Sequence, residues 1–150
     1  MRKLPPLMMV AALILAGVSI SSALAHKGAH GVVKQRMKAM TRMEKRLRLI
    51  NMMAQGKAAF DARAVRERAT TLRKHARHIP ALFPPGTHKH PSEASPSIWQ
   101  HFDDFRSRAE RLSTLAAKLA GATEQTLPTI LREVRATCKG CHERYRVERD

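Results

Sequence analysis

Cys138-Lys139-Gly140-Cys141-His142 concentrates the reactive side chains of this sequence. C-x-x-C-H is the attachment pattern of c-type haem. On a helix, residues three apart share a face, so both thiols can reach the two vinyl groups of one porphyrin, and the adjacent imidazole offers a nitrogen to the iron. One covalently bound haem is therefore expected, with Cys138 and Cys141 as its thioether partners and His142 as an axial ligand. The chain has 2 cysteines, both in this motif, so no structural disulfide competes for them. Two other chemistries use the same residue types. A thioredoxin-like C-x-x-C wants a βαβ setting, and no alternating apolar pattern or β-branched run flanks the motif. A zinc site needs four ligands, and Cys141 directly followed by His142 is an awkward pair for one tetrahedral ion.

Four apolar stripes must position this chemistry. Val33, Met37, Met40, Leu47, Ile50 and Ala54 recur at helical intervals up to Gly56. Asp61 is placed to cap a second helix whose stripe is Val65, Ala69, Leu72, Ala76 and Ile79, closed by Pro80. Prolines 80, 84, 85, 91 and 96 with Gly86 make the next stretch an irregular connection. A third helix is expected from about Ser97, carrying Ile98, Phe102, Phe105, Ala109, Leu112, Ala116 and Leu119, with Gly121 at its end. The fourth starts near Thr126 and takes in Leu127, Ile130, Leu131, Val134, Cys138, Cys141 and Tyr145, so the reactive motif continues an apolar face. Four amphipathic helices without a strand signal predict an all-α fold, an antiparallel up-down-up-down four-helix bundle whose interior is a usual place for a cofactor.

The ends and the charge bound the setting. Arg2 and Lys3, the apolar run from Leu7 to Val18, and Ala23-Leu24-Ala25 read as a secretory signal over residues 1–25. The domain then spans 26–150, and the apolar run is shorter than the roughly 20 residues that a spanning helix needs. Export to the periplasm agrees with c-type attachment, which is completed outside the cytoplasm. The formal net charge is +16, of which the signal carries only Arg2 and Lys3. With one Trp, one Tyr and no nucleic-acid module, the expected partners are redox proteins, acidic ones among them, or an anionic membrane surface, rather than nucleic acid. The basic run Lys34, Arg36, Lys38, Arg42, Lys45, Arg46 and Arg48 is either a solvated face or a docking patch. His26, His30, His88 and His90 are explained equally well by an exposed tail and a polar loop.

All five methionines beyond the signal, Met37, Met40, Met43, Met52 and Met53, fall on the first helix. Such a stripe is usually core filler, but a thioether opposite histidine is also a standard haem pair. The chain resembles the cytochrome c prime family, the four-helix class II cytochromes c. The resemblance rests on C-K-G-C-H-E-R-Y-R at 138–146, Gln55-Gly56-Lys57 with Phe60-Asp61, Ile79-Pro80 followed by Phe83-Pro84-Pro85-Gly86-Thr87, and Ile98-Trp99. It implies that Arg36 neighbours a haem propionate, that Met40 covers the distal face of the iron and serves as sixth ligand, and that Arg146 packs near the proximal imidazole. Met37 and Met43 are the neighbouring choices for that ligand. The other readings of Arg36 and Arg146 are a solvated helix face and a solvated terminus. Many members of the family pair through their first two helices, which like charge would oppose here, so monomer and homodimer both stay open. The expectation is a non-enzymatic electron carrier with His142 and Met40 on the iron. The alternative is a five-coordinate protein that binds nitric oxide or other gases. A peroxidase-like enzyme is disfavoured because no His lies on the apolar face of the first helix.

Overall fold

The apolar stripes fold into four long helices. The computed structural model describes residues 30–147, so the expected signal over 1–25 and His26 lie outside the described residues. α1 spans Gly31–Ala54 and α2 Ala62–His78; a 3₁₀ turn follows at Pro80–Leu82, then the short α3 at Ser97–Gln100, α4 at Phe102–Ala120 and α5 at Leu127–Tyr145. Together they make a four-helix bundle in which α2 packs most extensively on α4, while the seam between α1 and α5 is the sparsest.

The stops and starts have local causes. Gly56 adopts φ 68°, and its N–H donates to Met53 O while Lys57 N–H donates to Met52 O. This pair of hydrogen bonds closes the C-terminus of α1 as a Schellman motif, for which the left-handed conformation favours glycine. Asp61 accepts from Ala64 N–H at 3.0 Å and caps α2. α2 buries Val65, Ala69, Leu72 and Ala76 with Ile79 just beyond, as its periodicity predicts.

Two expectations about the helices change. The third stripe is two helices: His101 takes φ −130° and ψ 45°, separating α3 from α4. Its carbonyl accepts from Phe105 N–H and from the Tyr145 hydroxyl, so the break starts a new helix with Asp103 and Asp104 in its first turn. The stripe stays in phase across the break, so periodicity alone cannot show it. In α1 the buried residues are Arg36, Met43 and Ile50, while Met37, Met40 and Leu47 are half-buried beside them. The solvated-face reading of Arg36 is therefore excluded: its side chain is 6% exposed.

The 79–96 connection is ordered by contacts from both ends of the chain. Arg36 reaches it from α1. Trp99 Nε1 donates to Phe83 O at 3.0 Å. Ala94 and Arg146 form an isolated antiparallel bridge, with Ser95 N–H on Tyr145 O and Val147 N–H on Glu93 O, each at 2.9 Å.

Candidate haem-attachment site

α5 carries the motif at the sparse α1–α5 seam. Cys138 and Cys141 are free thiols, half-buried and packed against the core, as their place on the apolar face of α5 requires. Burial raises the Cys138 thiol and pushes Cys141 up to about 11, with Arg108 pulling Cys141 the other way. His142 is on the solvent side of the motif. Partial desolvation of its ring, and then the positive charge of Arg146, hold it below the ordinary imidazole value against the pull of Glu93. A neutral imidazole is the form that ligates metal.

Beside the motif lies a cleft of about 710 Å³, lined by Leu47, Asn51 and Ala54 from α1 and Leu131, Arg135 and Cys138 from α5, among others. That volume falls in the range of small-molecule and cofactor sites. Arg135 donates to Asn51 Oδ1 at 2.7 Å and ties the two walls. Two thiols three residues apart, one of them lining a largely apolar cleft, with an imidazole following directly, fit covalent haem. Cys138, Cys141 and His142 are the residues that could hold it. Among the described residues no group of three or more His, Cys, Asp and Glu could hold a bare metal ion.

The methionines separate by environment. Met43 belongs to the core at 6% exposure, and Met52 is exposed. Met40 is half-buried against the core. It stands seven residues from Leu47, which stands seven from Ala54, so the three share one stripe of α1. The latter two line the cleft with Cys138.

The two arginines implicated by resemblance take definite places. All five N–H groups of the Arg36 guanidinium are engaged: Nε and Nη2 on Leu82 O, Nη1 on Thr87 O and Ser92 Oγ, and Nη2 also on Thr87 Oγ1. Its carbon sits 3.8 Å from the Phe83 ring centroid. Burial lowers its pKa to about 10, so it stays charged at neutral pH. Arg146, four residues after His142, does not share a helical face with it. α5 ends at Tyr145, the Arg146 backbone is extended at φ −111° and ψ 134°, and its Nε donates to Glu93 at 2.6 Å. The bridge to Ala94 draws the chain out of the helix there, yet the charge remains close enough to His142 to affect it.

A brace behind the motif is only half legible in the sequence. Asp104 Oδ2 accepts from Arg108 Nε at 2.8 Å and from the Tyr145 hydroxyl at 2.5 Å, and Arg144 lies 3.3 Å away. Arg108 also donates to Gly140 O at 3.3 Å, inside the motif itself. The Asp104–Arg108 spacing of four is visible as a helical ion pair, but nothing in it points to Tyr145 on another helix.

The family described as Cytochrome C' matches residues 31–146 of this chain. Cytochrome c-556 of Agrobacterium fabrum (strain C58 / ATCC 33970) is 35% identical over 124 residues, covering 81% of this chain and 84% of its own. Cytochrome c' of Rubrivivax gelatinosus is 30% identical over 119 residues, covering 76% and 92%. Among solved structures, cytochrome c' from Rhodopseudomonas palustris aligns with a TM-score of 0.75 at 26% identity, covering 81% of this chain and all of that one.

Proposed function

The chain belongs to the cytochrome c' family, and on that premise we propose that it is an exported, periplasmic electron carrier with one haem held by Cys138 and Cys141 and ligated by His142 and Met40. When bound, haem c supplies reversible one-electron exchange between ferric and ferrous iron. Cys138 and Cys141 hold the group against α5, and the Asp104–Arg108–Gly140 brace keeps the motif backbone in place. His142, neutral at neutral pH, presents a free nitrogen. Met40 presents a soft thioether, which favours the reduced state and raises the potential.

The observation that carries the finer reading is the Met40–Leu47–Ala54 stripe, whose last two members line the cleft that Cys138 also lines. The hydrogen bond from Arg135 to Asn51 marks the register. Seven residues on from Arg135 is His142, and seven back from Asn51 is Glu44, one helical turn from Met40. Met40 therefore lies within about a turn of the level of His142.

For a partner, the charge distribution supports an acidic redox protein at the outer face of α1 and α2. These helices carry thirteen Lys and Arg against Glu44 and Glu67, whereas α4 and α5 carry eight against five acids. Arg42 and Arg46 both depress His75 of α2, after desolvation, so the cations of the two helices meet across their seam. No helix among the described residues is long and apolar enough to cross a membrane.

The test is the ferric spectrum of the exported protein and of Met40→Ala, optical and paramagnetic. The native protein is expected to be low-spin with a methionine charge-transfer band, and the variant high-spin and open to carbon monoxide. A native protein that is already high-spin and binds carbon monoxide readily would make Met40 a packing residue and the protein a gas binder.

A further inference from the structure

The N-terminal third of α1 is held unusually weakly by its own sequence. His30 makes no side-chain cap bond, no acid stands in the first turn, and Gly31 sits at φ 55°. Lys34 adds a positive charge at the positive end of the helix dipole. Among the residues of α1, the one buried side chain before Met43 is Arg36. Its five N–H groups seize acceptors 46 to 56 residues further along the chain, on Leu82, Thr87 and Ser92. Those acceptors are themselves tied in: Thr87 Oγ1 donates to Pro84 O at 2.7 Å, and Ser92 Oγ accepts from Ala94 N–H at 3.2 Å. The guanidinium also covers Phe83, whose ring meets Phe105 of α4 edge-on at 4.7 Å. A planar fork satisfied on every N–H is a joint that fixes both position and rotation of the helix carrying it.

We propose that Arg36 is the positioning residue for Met40: it clamps the 82–92 loop onto the first turns of α1 and so sets where Met40, one turn further on, lies against the bundle. The inference rests on Met40 being the sixth ligand. It assigns Arg36 a task beyond the propionate contact that resemblance implies, one that stands on the five hydrogen bonds from its guanidinium to the 82–92 loop.

The experiment uses the haem-loaded protein with Arg36→Leu, Arg36→Lys and Met40→Ala, and reads hydrogen exchange together with the ferric spectrum. In Arg36→Leu, amides over 33–42 and 82–92 are expected to exchange about ten-fold faster or more, as a locally unfolding segment does, while α2, α4 and α5 keep their protection. A high-spin component appears in the same variant. Arg36→Lys recovers only part of either signal, because an ammonium has three donors and no fork. Unchanged exchange over 33–42 in Arg36→Leu, or full recovery in Arg36→Lys, overturns the clamp. Faster exchange with an unchanged spectrum overturns the positioning role, and Met40→Ala then locates the fault. If that variant alone turns high-spin, Arg36 does not position Met40; if it also stays unchanged, the axial reading of Met40 has failed.

Discussion

Leu72 and Ile50 are fully buried, each on a different helix, and they set the scale of what one side chain contributes. Leu72→Ala removes apolar contact from the middle of α2 and leaves a void that close-packed neighbours fill only partly. A loss of about 2–5 kcal/mol in unfolding free energy is expected from denaturant titration, whereas Thr71→Ala, one residue away and half-buried, should cost far less. Residues also differ in how legible they are beforehand. Cys138, Cys141 and His142 point to haem attachment by their C-x-x-C-H spacing, once the setting has weighed against a redox pair and a zinc site. Leu72 follows from periodicity. Arg36 does not, because burying a charge is favourable only where acceptors converge on it, and here they arrive from a loop remote in sequence. The roles of Ser92 and Thr87 as its acceptors are hidden for the same reason, although Thr87 stands in the family-like run 83–87.

At the scale of elements, helix ends are where local sequence speaks most clearly. Asp61 is an N-cap by residue type and by observed bond. Asp61→Ala should lower stability by about 1 kcal/mol, measured by thermal or chemical unfolding, with the haem spectrum unchanged. The contact between α4 and α5 is electrostatic in a testable way. Hydrogen bonds from Arg108 and then Tyr145 hold the Asp104 carboxyl below the usual carboxylate range, helped by the charges of Arg108 and Arg144. A carboxylate stabilised this way contributes to stability above its unfolded pKa of about 4 and loses that contribution as pH falls through its lower folded value. The native protein should therefore lose more Tm between pH 6 and pH 3 than Asp104→Asn, which keeps an acceptor for Tyr145 but no charge. Equal losses in the two proteins would remove Asp104 from the acid response. The same elements show where periodicity runs out. The break at His101 shifts no apolar residue off the stripe, so only backbone angles reveal that α3 and α4 are separate. Arg146 likewise sits one residue past the helix end, where a bridge to Ala94 outcompetes another turn.

The whole molecule is electrically lopsided. Most of its positive excess lies on the α1–α2 pair, where the one ion pair within those helices is Arg63–Glu67; the α4–α5 side holds Arg106–Asp103, Arg108–Asp104, Lys118–Glu133 and Lys139–Glu143. If that face meets an acidic redox protein, electron exchange in stopped-flow should slow as salt rises. Arg42→Glu should weaken both the rate and its salt slope more than Arg111→Glu on α4, although the two variants change the net charge equally. Identical slopes would return the α1–α2 face to plain solvation.

The 82–95 strap is gripped from both directions, by Arg36 near the start of α1 and by residues 145–147 just past the end of α5. In mechanical language, the two ends of the described chain are buckled to one belt rather than to each other. A pull on either end loads that belt first, and a nick at exposed Lys89 would part the Leu82 and Thr87 anchors of Arg36 from the 93–95 stretch that holds residues 145–147. The two ends would then no longer share one continuous strap, so a loop that carries neither of the side chains read as axial ligands couples the two helices that do.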